Sequence, residues 1–179
     1  MPAMNSMSLI RSALVTTATT LLLSACISAP PSTPKVVDST TPAQRVAAVE
    51  AIAGVDDTEL SVQPLRDAQV ADLHGSAIAK RKAGDLDGAA EALNQALLLV
   101  DNDPAILQER AEVALLQADW PRAEALAKKA VDLGSRTGPL CRRHWATIEQ
   151  SRLARAEKEN AASAHAQIEG CTVPGIKRF

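Results

Sequence analysis

Few side chains in this sequence can do chemistry. Three cysteines (Cys26, Cys141 and Cys171) and three histidines (His74, His144 and His165) are its thiols and imidazoles. A zinc site needs about four ligands gathered together, and these six show no such spacing. His144 follows Cys141 closely enough to share a helix face, but a pair of ligands is not a site. No Gly-x-Ser-x-Gly turn surrounds a serine, and Ser163 beside His165 reads as helix surface. The stretch from Gly84 to Gly88 lacks the pattern of a phosphate-binding loop. Glu157 and Glu159 fall in a charged, solvated stretch, without the dry pocket that raises a carboxylate's pKa. The run Lys80-Arg81-Lys82 reads as a solvated helix end. The expectation is a protein without catalytic residues, metal or cofactor, and hence not an enzyme.

Cys26 differs from the other two cysteines in its setting. It closes an apolar run over residues 13–23, which Arg11 precedes with a positive charge. The run is too short to span a bilayer, which takes about 20 apolar residues. Leu23-Ser24-Ala25-Cys26 resembles the bacterial lipobox, in which two small residues admit a signal peptidase and the cysteine is acylated. That resemblance implies a signal peptide over residues 1–25 and a mature chain that begins at Cys26 and carries several acyl chains. Two or more chains anchor stably where one binds marginally. In similar lipoproteins an aspartate just after the cysteine favours the inner membrane. Ile27 stands there in this chain, so the outer membrane is expected, facing the periplasm.

Beyond residue 25 the chain carries 18 basic and 21 acidic residues, a formal charge of −3. Nucleic-acid binding calls for a basic face, which this near-balance does not supply. There is no tyrosine, and Trp120, Trp145 and Phe179 are the aromatic residues. Abundant alanine with scattered glycine is a composition suited to closely packed helices. The length fits one ordinary domain.

Residues 26–41 are rich in proline and small polar side chains, and read as a semi-extended tether. A short helix follows: Thr41 can cap it, Pro42 suits its first turn, Val46, Val49 and Ile52 form an apolar stripe, and Gly54 ends it. Residues 55–65 read as an extended stretch. Residues 42–65 thus make an N-terminal helix and connector.

From residue 66 to 173 a repeat of 34 positions emerges. Gly84-Asp85-Leu86 precedes Ala118-Asp119-Trp120 by that interval. Leu73 pairs with Leu107, Ala77 with Ala111, Ala89 with Ala123, Ala96 with Ala130, and Leu99 with Leu133. Asp85 and Asp119 can cap the second helix of each unit, and Asp103-Pro104 opens the next. The period and its small residues resemble the tetratricopeptide repeat, with Ser76, Lys80 and Arg110 at positions usually apolar or small. The resemblance implies an all-α solenoid of about three helical hairpins. A third unit fits if the loop 134–139 adds four residues, so that Ala161 follows Ala123 by 38. Trp145 then falls early in its first helix. The turn of this third hairpin, at 155–160, carries neither glycine nor proline, and one unbroken helix over residues 140–168 is the competing reading.

The two readings differ in where they put Cys141 and Cys171, the candidate disulfide pair of an oxidising periplasm. A hairpin brings both to one end, within bonding reach. A single helix separates them by roughly 40 Å. The hairpin and a Cys141–Cys171 bond are expected together. Residues 174–179 form a short tail.

Tetratricopeptide resemblance also implies a concave groove lined by the first helix of each unit. Carried over, this places His74, Ile78, Arg81 and Lys82 there from the first unit, Gln108, Glu112 and Leu115 from the second, and Arg143, Ala146 and Gln150 from the third. Such a groove, mixed in charge with a basic edge, suits an acidic peptide or helix. The function expected is a tethered scaffold that docks another envelope protein, as an assembly factor or an adapter for a cell-wall enzyme. An envelope enzyme or ligand carrier with its site in residues 43–65, or a purely structural spacer, are the alternatives.

Overall fold

In the computed structural model, residues 38–54 and 67–172 are described. Seven helices occupy them, with no strand: α1 (Pro42–Ala53), α2 (Ala68–Lys82), α3 (Leu86–Leu99), α4 (Pro104–Leu116), α5 (Trp120–Leu133), α6 (Pro139–Ala154) and α7 (Lys158–Gly170). The expectations for Cys26, the signal peptide, residues 26–37 of the 26–41 tether, the connector 55–65 and the tail 174–179 lie outside the described residues. No described helix is long and apolar enough to cross a membrane.

Local sequence accounts for the helix starts. Thr41 and Gln44 form a reciprocal capping box ahead of Pro42. The carboxylates of Asp67, Asp85, Asp103 and Asp119 accept from backbone N–H groups in the first turns of α2 to α5. These bonds satisfy donors that a helix start leaves unpaired.

Helices α2 to α7 pair as three hairpins, α2 with α3, α4 with α5 and α6 with α7. Their turns share one geometry. Gly84, Ala118 and Ala156 take positive φ values of 81°, 58° and 61°. The next residue's N–H then reaches back to close each turn: Asp85 to the Lys80 carbonyl, Asp119 to Ala114 and Glu157 to Arg152, each at 2.9 Å. This is the Schellman closure of a helix end. The third turn therefore forms at residues 155–157 although no glycine marks it. Alanine accepts the left-handed conformation there, at some local cost, and the single helix over 140–168 is excluded. The position of Ala156, 38 after Ala118, matches the lengthened third unit.

Alanines fill the contacts between helices. Ala89, Ala96, Ala123 and Ala130 are completely buried, as are Ala111 and Ala127, and Ala77 and Ala161 are nearly so. A methyl side chain lets the backbones approach closely, and a larger one would force them apart. Larger side chains fill the remaining space in layers: Leu93 and Ile106 between the first two hairpins, and Ile148 with Val131 between the last two. Cys141, in the first turn of α6, is joined to Cys171 at the end of α7, their Cα atoms 5.7 Å apart. The Gly138 N–H also donates to the Cys171 carbonyl at 2.8 Å. The molecule is thus an all-α, tetratricopeptide-like stack of three hairpins, with α1 packed against α6 and α4.

Candidate functional site

The first helices of the hairpins (α2, α4 and α6) form the concave face, and α1 occupies part of it. Val46 and Val49 of α1 sink into a cluster with Ala114, Leu115, Ala123 and Ala146. Two arginines hold α1 at its ends. Arg45 Nη1 donates to the Gln150 carbonyl at 3.2 Å and to its side-chain Oε1 at 3.1 Å. The other terminal nitrogen of Arg45 pairs with Asp38, and its guanidinium lies over the Trp120 ring, 5.6 Å from the centroid. At the opposite end, Arg142 Nη2 donates to the Ala53 carbonyl at 2.8 Å, satisfying an acceptor left open by the helix end. These contacts set α1 antiparallel to α6.

Six of the ten expected groove residues have structural partners of their own. Leu115 and Ala146 are core, completely buried with the valines of α1. Gln108 and Glu112 are completely buried too. Gln108 Nε2 donates to Thr147 Oγ1 at 2.7 Å and to Glu112 Oε1 at 2.9 Å, while its Oε1 meets His144 Nδ1 at 2.7 Å. Glu112 Oε1 accepts from Arg143 Nη2 at 2.6 Å, and its Oε2 accepts from Arg81 Nη1 at 3.2 Å. One buried carboxylate thus ties α2, α4 and α6 together. Gln150 is the acceptor for Arg45. These four polar residues, Gln108, Glu112, Arg143 and Gln150, join neighbouring helices to one another, and none of them lines the cleft described next.

Electrostatics in this layer follow from burial. Desolvation, with Arg143 adding like-charge repulsion, lowers the His144 pKa from 6.5 to about 4. The ring is therefore neutral at pH 7. The Gln108 oxygen accepts from its Nδ1–H, which leaves Nε2 bare and without a hydrogen-bond partner. Cys141 is committed to its disulfide, and no group of three or more metal-binding side chains occurs among the described residues.

The other half of the concave face stays open. Between α1 and α2, over α4, lies a cleft of about 390 Å³. Ile78, Arg81 and Lys82 of α2 line it, as expected for that unit, together with Ala77. His74 stands beside it, with Nε2 2.7 Å from Oε1 of Glu109, a lining residue on α4. Arg81 bridges the cleft, its Nη2 donating to Glu50 Oε1 of α1 at 2.5 Å. Val113 and Leu116 of α4 supply apolar surface below. The α1 wall consists of Ala43, Val46, Ala47 and Glu50, which the groove expectation did not include and which fall within the 43–65 stretch of the alternative reading. Their spacing of three, four and seven is a helical face adjacent to the Val46-Val49-Ile52 stripe, so the pattern was there, but its destination was not.

Neither a protein-family model nor a curated protein matches the sequence. Among solved structures, the fold is similar to the globular C-terminal domain of P. aeruginosa LpoP, with a TM-score of 0.55 and 27% identity. The match covers 59% of this chain and 99% of that domain.

Proposed function

We propose that this chain is a periplasm-facing adapter, lipid-anchored to the outer membrane through Cys26, that docks an envelope protein on its repeat domain. A cell-wall enzyme or a component of an envelope assembly is the class of partner that suits such an adapter. The open cleft between α1 and α2 carries this reading: it is exposed and largely apolar, and it is formed where a tetratricopeptide-like scaffold presents its concave face. Likeness to essentially the whole globular C-terminal domain of LpoP supports the same organisation, a helical domain placed after an N-terminal segment. An enzyme or carrier site confined to residues 43–65 has less support, because α1 supplies one wall of the cleft and other helices supply the rest.

The anchor and the adapter role are tested together in intact cells. Full-length protein should label with a palmitate analogue, fractionate with outer membrane and crosslink to an envelope protein. Cys26→Ser should lose the label and the membrane association. Retention of both in the variant would remove the anchor from the reading, and a wild-type protein that crosslinks to nothing would remove the adapter.

A further inference from the structure

The first helix of the stack keeps one face without a neighbour. Ala68, Asp72, Gly75, Ala79 and Lys82 of α2 are all exposed, and their alternating spacing of four and three puts them in one stripe along the helix. Val70, Leu73 and Ala77 lie on the other side, in the core shared with α3. At the far end of the stack the exposed face of α7 carries Lys158, Glu159, Ser163, Gln167 and Glu169, a polar surface of the kind that closes a repeat array against water. The middle of the α2 stripe has no such side chains.

Gly75 sharpens the contrast. A glycine inside a helix weakens it relative to alanine. At Gly88 and Gly134 the fold supplies a reason: an added Cβ would strike the Asp85 carboxylate at 2.1 Å or the Ala130 carbonyl at 2.8 Å. A Cβ at Gly75 meets nothing within 4 Å. Nothing within the protomer calls for bare backbone there, so the demand comes from something outside that approaches the helix closely.

The charges on the stripe identify it. Neither the Asp72 nor the Lys82 side chain has a partner among the described residues. They stand about 15 Å apart along α2, too far to pair with each other. They lie at equal distances either side of position 77, as do Gly75 and Ala79. A second α2 running antiparallel, with a two-fold axis at the level of position 77, therefore sets each Asp72 against Lys82 of the other copy. The same axis sets Gly75 against Ala79, where the backbones come closest. A surface that complements itself in this way makes an isologous pair.

We infer that the free face of α2 joins two copies of this chain, through antiparallel α2 helices with Asp72 of each on Lys82 of the other. Ile78, 51% exposed despite its size, borders the seam and adds apolar contact. One 15-residue helix from each copy makes a small seam, in the class of weak and transient interfaces, so the pair is best trapped in the cell. The inference goes beyond the adapter reading and does not depend on it, because no envelope protein takes part in the seam.

The test uses the full-length chain at its native level, with a photocrosslinking amino acid at position 83, which the axis sets against Ala71 of the second copy. Position 98 on α3 is the reference, since Leu98 is 76% exposed and lies off the stripe. Position 83 should yield a crosslinked pair of this chain, joined near residues 71 and 72 by mass spectrometry, and position 98 should not. Asp72→Lys and Lys82→Asp should each lower the yield about tenfold, because like charges then face each other, and Asp72→Lys/Lys82→Asp should restore it to within about twofold. Lys82 also borders the cleft, but only its pairing with Asp72 of another copy predicts this rescue. Gly75→Leu should abolish the crosslink while the protomer keeps its helical circular dichroism. A double variant as weak as the single ones, or a yield unaltered by Gly75→Leu, would overturn the inference. Silence at position 83, or capture there of a different protein alone, would do the same.

Discussion

Glu112 and Arg143, on neighbouring first helices, are joined through two guanidinium nitrogens on a single carboxylate oxygen, at 2.6 and 3.0 Å. Glu112 is completely buried, and Arg81 pairs with its other oxygen. Breaking a buried pair costs more than making one gains, since the remaining charges lose their partner. Glu112→Ala should therefore destabilise the fold by about 3 kcal/mol, lowering the melting temperature by roughly 10 °C. A melt within 2 °C or so of wild type would show that solvent already screens the two arginines.

Arg110 gives the opposite expectation. It is 4% exposed, and its Nε donates to the neutral Asn94 at 3.0 Å. Its Nη1 has no partner, and burial together with nearby Arg122 lowers its pKa. A buried cation held this loosely is often replaced without loss by an apolar side chain of similar volume. Arg110→Met should leave stability unchanged or raise it by about 1 kcal/mol, measured by urea unfolding. Arg45→Met should lower stability, because Arg45 holds Gln150, Asp38 and the Trp120 face. A loss at Arg110 as large as that at Arg45 would contradict this contrast.

The disulfide closes a loop with a sequence separation of 30. In the chain-entropy description, a crosslink of that span contributes about 3 to 4 kcal/mol. Reductant should lower the melting temperature of the mature protein, and Cys141→Ser/Cys171→Ser should reproduce the reduced value and become insensitive to reductant. Alkylation of the unreduced, denatured protein should add no mass at these two positions. Full alkylation there would refute the bond.

Acid should destabilise the protein in two separable windows. His144 is neutral in the fold, with its pKa lowered to about 4, while an unfolded chain takes up the proton near the ordinary value of 6.5. Its contribution is complete above 6.5 and is lost as pH falls from there to 4, up to about 3 kcal/mol. Glu124 acts lower down. Burial opposes its charge, but hydrogen bonds from Lys128, Arg155 and Arg152 outweigh that and hold its pKa at about 2. Its contribution is present above 4.5 and is lost on going toward 2. His144→Gln should flatten the stability profile between pH 6.5 and 4 and leave the lower window intact. A profile unchanged between 6.5 and 4 would reassign that window to other groups.

The repeat could be read from the sequence because its constraint is local and recurrent. Alanine at fixed intervals reports close helix contacts, and Asp85 and Asp119 report the helix starts. The third hairpin was harder, because Ala156 does by tolerated strain what Gly84 does freely, and Glu157 makes no side-chain cap bond where Asp85 and Asp119 do. Docking of α1 was not legible. Gln108, Glu112 and Arg143 are polar residues on faces that a repeat array normally exposes, so they resemble a groove lining. That they are partners for one another depends on contacts more than 30 positions apart. Arg45 carried a faint signal, being a charge set directly beside the apolar stripe that begins at Val46.

The clasp formed by Arg45 and Arg142 also decides how this molecule would bear load. If the chain hangs from a lipid at Cys26, tension arrives at Asp38 and is transferred through α1 to α6, the first helix of the last hairpin. The hairpin nearest the anchor in chain order stands outside that clasp and meets α1 through the Arg81–Glu50 bridge. One wall of the open cleft belongs to it.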